Sequence, residues 1–596
     1  MAKERKDFSD TYKWNTKDLF EDDKECLNEL EKVIIDIDKI KKYEGNILKN
    51  SDNLLEILNL DVNIGRRIER LYIYAHINLD ADTLNTNYQE LFGKVYNAYV
   101  KYSSVSSFIV PELLEYDYSL IEKYIKENEK LKEFERLLKD IYKEKEHVLS
   151  KEVENVISNL GNVMNAPEDI YSSLTDSDFK FEDIIIDGKN VELTESNFSV
   201  YLKDSNRETR KQAFKSLYKT YGDFKTSIAS LLKNEVEKNV IISKLRKYNS
   251  SLEATLFSNE IDKKVYLNLI DTVHQNFDSI YRYWNIKKKI LNLDELHIYD
   301  TYTELESNDN KKYSFDDARD LILEITKPLG EKYVEDLTKA FTNKWIDSIN
   351  NKGKRGGAYC TCSYDVHPYV LMSYENTLND VSTLAHELGH AMHYYYASKN
   401  QKYQDYEYSI FVAEVASQVN EILLSRYLLD HNNSKEERIK IIDDLLQKYK
   451  STIYRQTMFA EFELFIHEYT EKGNILTSDT MCNKYYELNK LYFGDNVIVD
   501  DEIKYEWERI PHFYMNFYVW KYATSFAAAV YIANKIYEGD TNLRDNYLEF
   551  LKLGCTKKPI ESLELVGLDM SKPDVIEKSI KFMNELLDEY NKYINE

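Results

Sequence analysis

The chain has 596 residues, of which 43% are hydrophobic, so it is long enough for several domains or one large body with a sizeable core. This composition excludes wholesale disorder, and the net charge of −25 argues against a nucleic-acid-binding protein, which needs a basic surface. The 16 glycines and 7 prolines are few for this length, which favours long helices with few interruptions.

The cysteines and the amino-terminal residues indicate the compartment. Five cysteines are widely spread apart from one C-x-C pair, Cys360 and Cys362, and this is not a disulfide framework. We expect these thiols to be structural or incidental, although a C-x-C pair can in principle bind metal. The chain starts without the apolar region of a signal peptide, and no segment approaches the ~20 apolar residues of a membrane span. The sequence therefore predicts a cytoplasmic protein with no membrane contact and no obligate protein partner.

The first third of the chain is predicted to be helical. Asn15 opens a capped turn, and apolar residues then recur at spacings of three and four, namely Leu27, Leu30, Val33, Ile34 and Ile37. The helical pattern stops at 181–194, where two short strands are expected around the turn Asp187-Gly188. Residues 204–206 then cap a helix running to about residue 241. We therefore predict an N-terminal helical lobe, 1–203, followed by a second domain, 204–596.

A second break in the helical pattern lies between residues 352 and 376. Three of the sixteen glycines, at positions 353, 356 and 357, fall within five residues, which predicts a loop with unusual backbone angles. An extended run, 367–376, follows it. Asn379 or Asp380 is then expected to cap the next helix, and from residue 408 to the end the pattern is helical again.

That next helix contains the motif His386-Glu387-Leu-Gly-His390-Ala-Met-His393. Residues four apart lie about 40° from each other around an α-helix, so His386 and His390 share one face. Two such imidazoles can bind zinc, and Glu387 beside them can take a proton from water. The edge of the 369–374 strand could pair with a peptide by β-addition and align it across this metal.

A third ligand and two supporting residues are candidates close to this motif. Glu414 lies between alanine and valine, where a carboxylate is costly to bury without a cation; the alternative is an exposed helix glutamate. Glu421, seven residues later, could orient a ligand histidine or form a surface ion pair. His393 shares the face of His386 and could contact substrate or support a ligand, whereas as a fourth ligand it would close the position for water.

The segment 510–525 is a candidate supplier of hydrogen bonds to the oxyanion of a tetrahedral intermediate. Its histidine and tyrosines, His512, Tyr514, Tyr518 and Tyr522, recur at spacings of two to four and could line one wall of a cleft. Because the chain contains 50 tyrosines, packing in an aromatic core is the alternative.

Taken together, these segments resemble the M3 family of zinc metallopeptidases, and within it the oligoendopeptidase F group. The match covers nearly the whole chain and rests on these stretches: 386–393, which fits H-E-x-G-H-x-x-H, 411–417, 353–359, 512–524, 12–15 and 206–214. The resemblance implies a mainly α, two-lobed body with a deep substrate channel and a small β element beside the zinc-binding helix. It also implies one zinc ion per chain and hydrolysis of oligopeptides, with 204–596 as the catalytic domain.

Individual roles follow from the resemblance position by position. It implies that His386, His390 and Glu414 bind zinc and that Glu387 is the general base. It further implies transition-state stabilisation by His512 with Tyr522 or Tyr514. In addition, we expect substrate contacts from Gly356, Gly357, His393 and Tyr518.

Two other functions remain open at this stage. A helical zinc carboxypeptidase also uses H-E-x-x-H, but it needs a cationic group to hold the free carboxylate of a peptide. A non-enzymatic helical scaffold with a structural zinc site would have no use for Glu387.

Overall fold

The computed structural model describes residues 3–305, 311–432 and 434–595. Helices make up 73% of the structure and its sheets are small, which confirms the mainly α fold. The chain forms two compact units, each built from three segments. Unit 1 comprises Met1–Val148, Lys311–Leu424 and Ile532–Gly567, and unit 2 comprises Leu149–Asn310, Ser425–Tyr531 and Leu568–Glu596. The predicted boundary at 203/204 lies within unit 2, and the division into 1–203 and 204–596 stays a prediction.

The α-helices of the described residues are numbered in chain order. The first segment of unit 1 contains α1 Asp23–Ile40, α2 Ser51–Ala81, α3 Thr86–Ser106, α4 Ile109–Leu114, α5 Tyr118–Glu127 and α6 Glu135–Lys143. The first segment of unit 2 contains α7 Lys151–Asn159, α8 Gly161–Ser173, α9 Glu195–Lys203, α10 Arg207–Leu245, α11 Ser251–Phe257, α12 Lys263–Gln275 and α13 Phe277–Ile290.

The remaining helices complete both units. Unit 1 contains α14 Phe315–Ile325, α15 Glu331–Thr342, α16 Leu378–Asn400, the first part of α17 Ile410–His431, the end of α21 Trp520–Tyr537, α22 Thr541–Phe550 and α23 Pro559–Glu564. Unit 2 contains the end of α17, α18 Lys435–Lys448, α19 Arg455–Glu471, α20 Ser478–Phe493, the first part of α21, and α24 Asp574–Asn595.

Two small sheets accompany the helices. In unit 2, β1 Ile184–Ile186 and β2 Lys189–Val191 form an antiparallel hairpin whose turn residues Asp187 and Gly188 have φ angles of 51° and 74°. Two successive left-handed residues match the twist of a two-residue hairpin. The strands predicted within 181–194 are therefore confirmed.

The second sheet belongs to unit 1 and consists of β3 Ile346–Asp347, β4 Tyr359–Cys362 and β5 Pro368–Leu371. Its order is β3-β5-β4, with β5 parallel to β3 and antiparallel to β4. The predicted peptide-pairing edge on the 369–374 strand is therefore wrong, because β5 is central and both of its sides already pair with a strand. Among the described residues, the edge strands of this sheet are β3 and β4.

The sheet connects the N-terminal helices to α16. Helix α1 buries Leu30, Val33 and Ile37 at helical spacing, as the sequence predicted, and packs against α2 and α3. Tyr369 and Leu371 of β5 join the same hydrophobic cluster. Helix α16 packs on β4 and β5, so the sheet lies between the metal-motif helix and this core.

The start of α16 differs from the expectation. Its N-cap is Thr377, whose hydroxyl accepts a hydrogen bond from the Asp380 N–H at 3.1 Å, while the Asp380 carboxylate accepts one from the Thr377 N–H at 2.8 Å. The predicted caps Asn379 and Asp380 are therefore wrong: both lie inside the first turn, and Asp380 completes a reciprocal capping box.

Helices α16 and α17 approach each other closely at Gly389. A Cβ atom at this position would lie 2.5 Å from both the Ala416 carbonyl oxygen and the Ser417 Cα. The Asn420 side-chain amide donates to the Ala385 carbonyl oxygen at 3.0 Å and ties the two helices together in the same region. Glycine is required here because the backbone of α17 occupies the space of a side chain.

We expect Gly389→Ala to lower the free energy of unfolding by about 1–3 kcal/mol, since overpacking against backbone outweighs the ~1 kcal/mol that alanine gains in a helix. Urea unfolding of the metal-free protein measures the change. Gly93→Ala in α3 is the matched control, because a Cβ there meets nothing within 4 Å. Equal stability of the two variants would contradict the close contact.

Candidate metal centre

Three ligand atoms from two helices converge in unit 1. Glu414 Oε2 lies 3.4 Å from His386 Nε2 and 3.5 Å from His390 Nε2. The ligand atoms of His386, His390 and Glu414 all lie within 4.8 Å of one another, which is close enough to bind one metal ion. No other group of three histidine, cysteine or acidic side chains among the described residues meets this criterion. The three residues that the sequence predicted as ligands are thus together, two on α16 and one on α17.

Two hydrogen bonds orient these ligands. The His386 Nδ1–H donates to Glu421 Oε1 at 2.5 Å, which leaves Nε2 facing Glu414. The Ser417 hydroxyl donates to Glu414 Oε2 at 3.0 Å. The sequence left two roles open for Glu421, orienting a ligand histidine or forming a surface ion pair. In the structure Glu421 contacts the ligand His386.

Burial and charge act in opposite directions at the ligands. Burial lowers the pKa of His386, but the hydrogen bond to Glu421 and the nearby carboxylates outweigh it and raise that pKa overall. Burial raises the pKa of Glu414, whereas its hydrogen bond with His390 and the charges of both histidines lower it overall. The carboxylates therefore draw a proton to the imidazole, and a cation bound here competes with that proton.

The donor set fits a divalent metal ion. Two imidazole nitrogens and one carboxylate oxygen converge, and His386 has its second nitrogen occupied, which fixes the tautomer that presents Nε2. Three protein ligands leave a further coordination position for water or substrate. A closed structural site would instead use four protein ligands.

Glu387 follows the first ligand directly and is 7% exposed. Burial raises the pKa of its carboxyl, although the charges of His386 and His390 act in the other direction. The Glu387 carboxylate also contributes, after burial, to the raised pKa of Cys360 on β4. The predicted base thus lies on α16, the helix that carries the histidine pair and packs on β4.

His393 has a different environment from the ligands. It is 1% exposed, and its ring stacks on Tyr408 with centroids 3.6 Å apart and on Phe550 at 5.4 Å. Burial lowers the pKa of its imidazole to about 3. His393 is held in the hydrophobic interior of unit 1, and its predicted contact with substrate stays a prediction.

The glycine loop before β4 is anchored by a buried lysine. Lys354 Nζ donates to the Asp347 carboxylate at 2.7 Å and to the Ile349 and Met372 carbonyl oxygens at 2.6 and 2.7 Å. Gly357 has a φ of 89°, as expected for this loop, and a Cβ at Gly356 or Gly357 would meet nothing within 4 Å. The space beside these two glycines is therefore open, whereas the preceding part of the loop is held in place by the hydrogen bonds of Lys354.

The predicted oxyanion segment belongs to unit 2. The His512 ring lies 6.1 Å from the Tyr518 ring and 6.2 Å from the Tyr522 ring, and all three side chains are partly exposed. Tyr514 is buried instead and stacks on Tyr171 at 4.7 Å. The structure thus groups His512 with Tyr518 and Tyr522, and Tyr514 belongs to the packed interior.

Sequence reasoning missed two residues that build the metal centre. Ser417 bonds the ligand Glu414, and Asn420 joins the two ligand helices. Ser417 lies three residues after Glu414, a spacing that puts both on one helix face, so this signal was present. The partner of Asn420 is a backbone carbonyl of another helix, which no sequence pattern specifies.

Two facing helices, one carrying H-E-x-x-H and the other a glutamate, define a helical metallopeptidase type of site. A family model described as Peptidase family M3 matches residues 200–582, and one described as Oligopeptidase F matches residues 112–181. The chain belongs to peptidase family M3 and is a peptidase.

Relatives along the whole chain agree with this assignment. Oligopeptidase PepF of Bacillus subtilis (strain 168) is 40% identical over 577 residues, covering 97% of this chain and 86% of that protein. The crystal structure of oligoendopeptidase-F from Enterococcus faecium is 31% identical, with a TM-score of 0.75 and coverage of 96% and 99% of the two chains. A crystal structure from Chlamydophila abortus is 33% identical, with a TM-score of 0.92 and full coverage of both chains.

We expect Glu421→Ala to weaken metal binding about 10- to 100-fold, because the imidazole of His386 loses the carboxylate that orients it. Competition with a chromogenic chelator measures the affinity. Ser382→Ala is the control, since Ser382 Oγ lies 3.5 Å from the same carboxylate without touching a ligand. An unchanged affinity in Glu421→Ala would show that the contact does not support the ligand.

Proposed function

We propose that this peptidase is a zinc-dependent endopeptidase that hydrolyses internal bonds of short, unfolded oligopeptides. The observation that carries the proposal is the convergence of His386, His390 and Glu414 around one point, with Glu387 next to the first ligand. The printed names of the relatives, oligopeptidase and oligoendopeptidase, support the substrate class.

We assign the metal ion to His386, His390 and Glu414, one zinc per chain. Nitrogen and oxygen ligands of this kind suit zinc. When bound, zinc polarises the scissile carbonyl and lowers the pKa of water towards ~7. The role of Glu421 is to hold the His386 ring with Nε2 towards the ion.

Glu387 acts as the general base in this proposal. It takes a proton from the attacking water and passes it to the leaving amine. Burial favours this role, because a carboxyl with a raised pKa is a stronger base than an exposed glutamate.

The outer edge of β4, Tyr359–Cys362, is our candidate for binding the peptide backbone. This edge replaces the one expected on the 369–374 strand, and β4 packs against α16, the helix that carries Glu387. An extended peptide added to β4 gains main-chain hydrogen bonds that do not depend on its side chains. Gly356 and Gly357, which precede β4, would let the peptide approach the loop.

His512 and Tyr522 are our candidates for donors to the oxyanion, with Tyr518 contacting substrate. Support comes from the matching motif and from the clustered, partly exposed rings. Burial lowers the pKa of His512, so its imidazole is neutral near pH 7 and donates a hydrogen bond through one N–H. Of the two tyrosines left open by the sequence, we favour Tyr522 over the buried Tyr514.

We also propose a cytoplasmic location and retain 1–203 and 204–596 as the N-terminal lobe and the catalytic domain. All five cysteines are free, which suits a reducing compartment. In the described parts of the chain, no helix combines the length and apolarity needed to cross a membrane.

We expect Glu387→Gln to keep its metal and to lose about 10²–10⁴-fold in kcat/KM, because the amide retains the shape of the carboxylate but cannot take a proton. Metal content by mass spectrometry and cleavage of a fluorogenic peptide with a blocked carboxyl terminus measure the two effects. The blocked terminus separates an endopeptidase from a carboxypeptidase.

Glu69→Gln is the control for replacing a glutamate of unit 1 by glutamine; burial raises the pKa of Glu69 to about 7, and burial also raises that of Glu387. The Glu69 carboxylate accepts hydrogen bonds from the Tyr364 N–H and the Tyr406 hydroxyl, both at 2.7 Å. We expect kcat/KM of this variant to stay within about threefold of the native protein. Unchanged hydrolysis in Glu387→Gln would remove the general base from the mechanism.

Removal of the metal should abolish cleavage and lower thermal stability. Zinc at about 100 times its dissociation constant stabilises the native state by roughly 2.7 kcal/mol, and this contribution disappears with the ion. A thermal scan with and without chelator measures it. Zinc should restore both properties and magnesium neither, because magnesium prefers oxygen ligands; recovery with magnesium would contradict the ligand set.

A further inference from the structure

The backbone between His512 and Tyr518 contains an unusual turn. Asn516 and Phe517 have φ angles of 45° and 55°, so two successive residues other than glycine adopt the left-handed conformation. This conformation is unfavourable for a side chain with a Cβ, most of all for a bulky one, and persists only where the surroundings hold it. The turn follows the short 3₁₀-helix Pro511–Tyr514 and precedes α21.

A buried carboxylate on α19 holds this turn. Glu463 Oε1 accepts a hydrogen bond from the Phe517 N–H at 2.5 Å, and Glu463 itself is 0% exposed. Its second oxygen, Oε2, is buried without a hydrogen-bond partner among the described residues. Burying a carboxyl group with one contact is costly, so its presence here calls for a reason.

The same helix also fixes the side chain of Phe517. His467, one turn after Glu463, packs its ring on the Phe517 ring with centroids 4.4 Å apart, and Tyr266 meets that ring edge-on at 5.7 Å. The His467 Nδ1–H donates to the Glu463 carbonyl oxygen at 2.9 Å. Backbone and ring of Phe517 are thus both held by α19.

The consequence of this turn is the arrangement of the aromatic residues on either side of it. The His512 ring, which precedes the turn, lies 6.1 Å from the Tyr518 ring and 6.2 Å from the Tyr522 ring, which both follow it. If Asn516 and Phe517 did not adopt left-handed backbone angles, the segments before and after the turn would run in different directions. Glu463 therefore acts on this group through the backbone and not through a contact with it.

We propose that Glu463 is a positioning residue: by accepting the hydrogen bond of Phe517 in the 516–517 turn, it holds His512 against Tyr518 and Tyr522. This inference rests on the proposed function for its catalytic consequence, since His512 and Tyr522 are the proposed oxyanion donors. Its structural part concerns unit 2 alone.

Steady-state kinetics and amide exchange test the role of Glu463. Glu463→Ala should lower kcat about 10- to 100-fold with KM within about threefold, because the donors lose their alignment for the transition state. Glu463→Gln should stay within about threefold of the native kcat, since its amide oxygen still accepts from Phe517. Adding Asn516→Gly to Glu463→Ala should recover at least tenfold, because glycine adopts the left-handed conformation without strain.

Asp443→Asn is the control for general damage to unit 2. Asp443 is also a buried acceptor, bonded to Tyr283, Lys287 and Tyr590, but it has no contact with the turn. It should lower the thermal midpoint and leave kcat within about twofold. A loss of kcat in Asp443→Asn equal to that in Glu463→Ala would overturn the positioning role.

Hydrogen exchange at the Phe517 amide separates this inference from the proposed function. In the native protein this amide should exchange only through global unfolding. Much faster exchange would show that Glu463 does not hold the turn and would overturn the proposal. This test uses the native protein, so it remains valid even if Glu463→Ala does not fold. Failure of the native protein to cleave any peptide would overturn the proposed function and leave the exchange result intact.

Discussion

The metal centre depends on the close approach of α16 and α17 at Gly389. At this point backbone meets backbone, and the Asn420 amide fastens the helices beside the contact. Only at this separation can one carboxylate from α17 lie 3.4–3.5 Å from the two imidazoles of α16. The ligands are thus placed by rigid helices, which hold a site more accurately than loops do.

The sheet of unit 1 gives this helix pair its second support. Helix α16 packs on β4 and β5, and β5 is anchored in the core formed with α1, α2 and α3. Because β5 is central, β4 is an edge strand of the sheet, and it packs against α16, the helix that carries Glu387. The sheet therefore carries the metal-motif helix and places beside it the edge strand that we propose as the binding surface for the peptide backbone.

Local signals in the sequence were sufficient for the helices, the hairpin and the ligand set. Helical spacing predicted the buried face of α1, and the Asp187-Gly188 turn predicted the hairpin. The spacing of His386 and His390 predicted the ligand pair, while the apolar neighbours of Glu414 and the family resemblance predicted the third ligand. Long-range pairing was not predictable in this way. Strand β3, Ile346–Asp347, has only two residues and therefore shows no alternation that a strand prediction could detect. The central position of β5 depends on its pairing with β3, so it could not be predicted from the sequence of β5 alone. The burial of Tyr514 likewise depends on a long-range contact. Its ring stacks on Tyr171, which is far away in the sequence and is brought close only by the fold.

Each unit contains a glutamate that holds a neighbouring group in place by accepting a hydrogen bond from it. Glu421 accepts from the His386 ring, and Glu463 accepts from the Phe517 backbone. Burial raises the pKa of Glu463 to about 8, so near pH 7 this group accepts the hydrogen bond mainly in its neutral form. Each of the two hydrogen bonds holds its partner in one orientation. At His386 this fixes which nitrogen faces the metal ion. At Phe517 it fixes a backbone conformation that the residue would otherwise avoid. At both positions the hydrogen bond to a glutamate holds a group whose geometry matters for the proposed reaction.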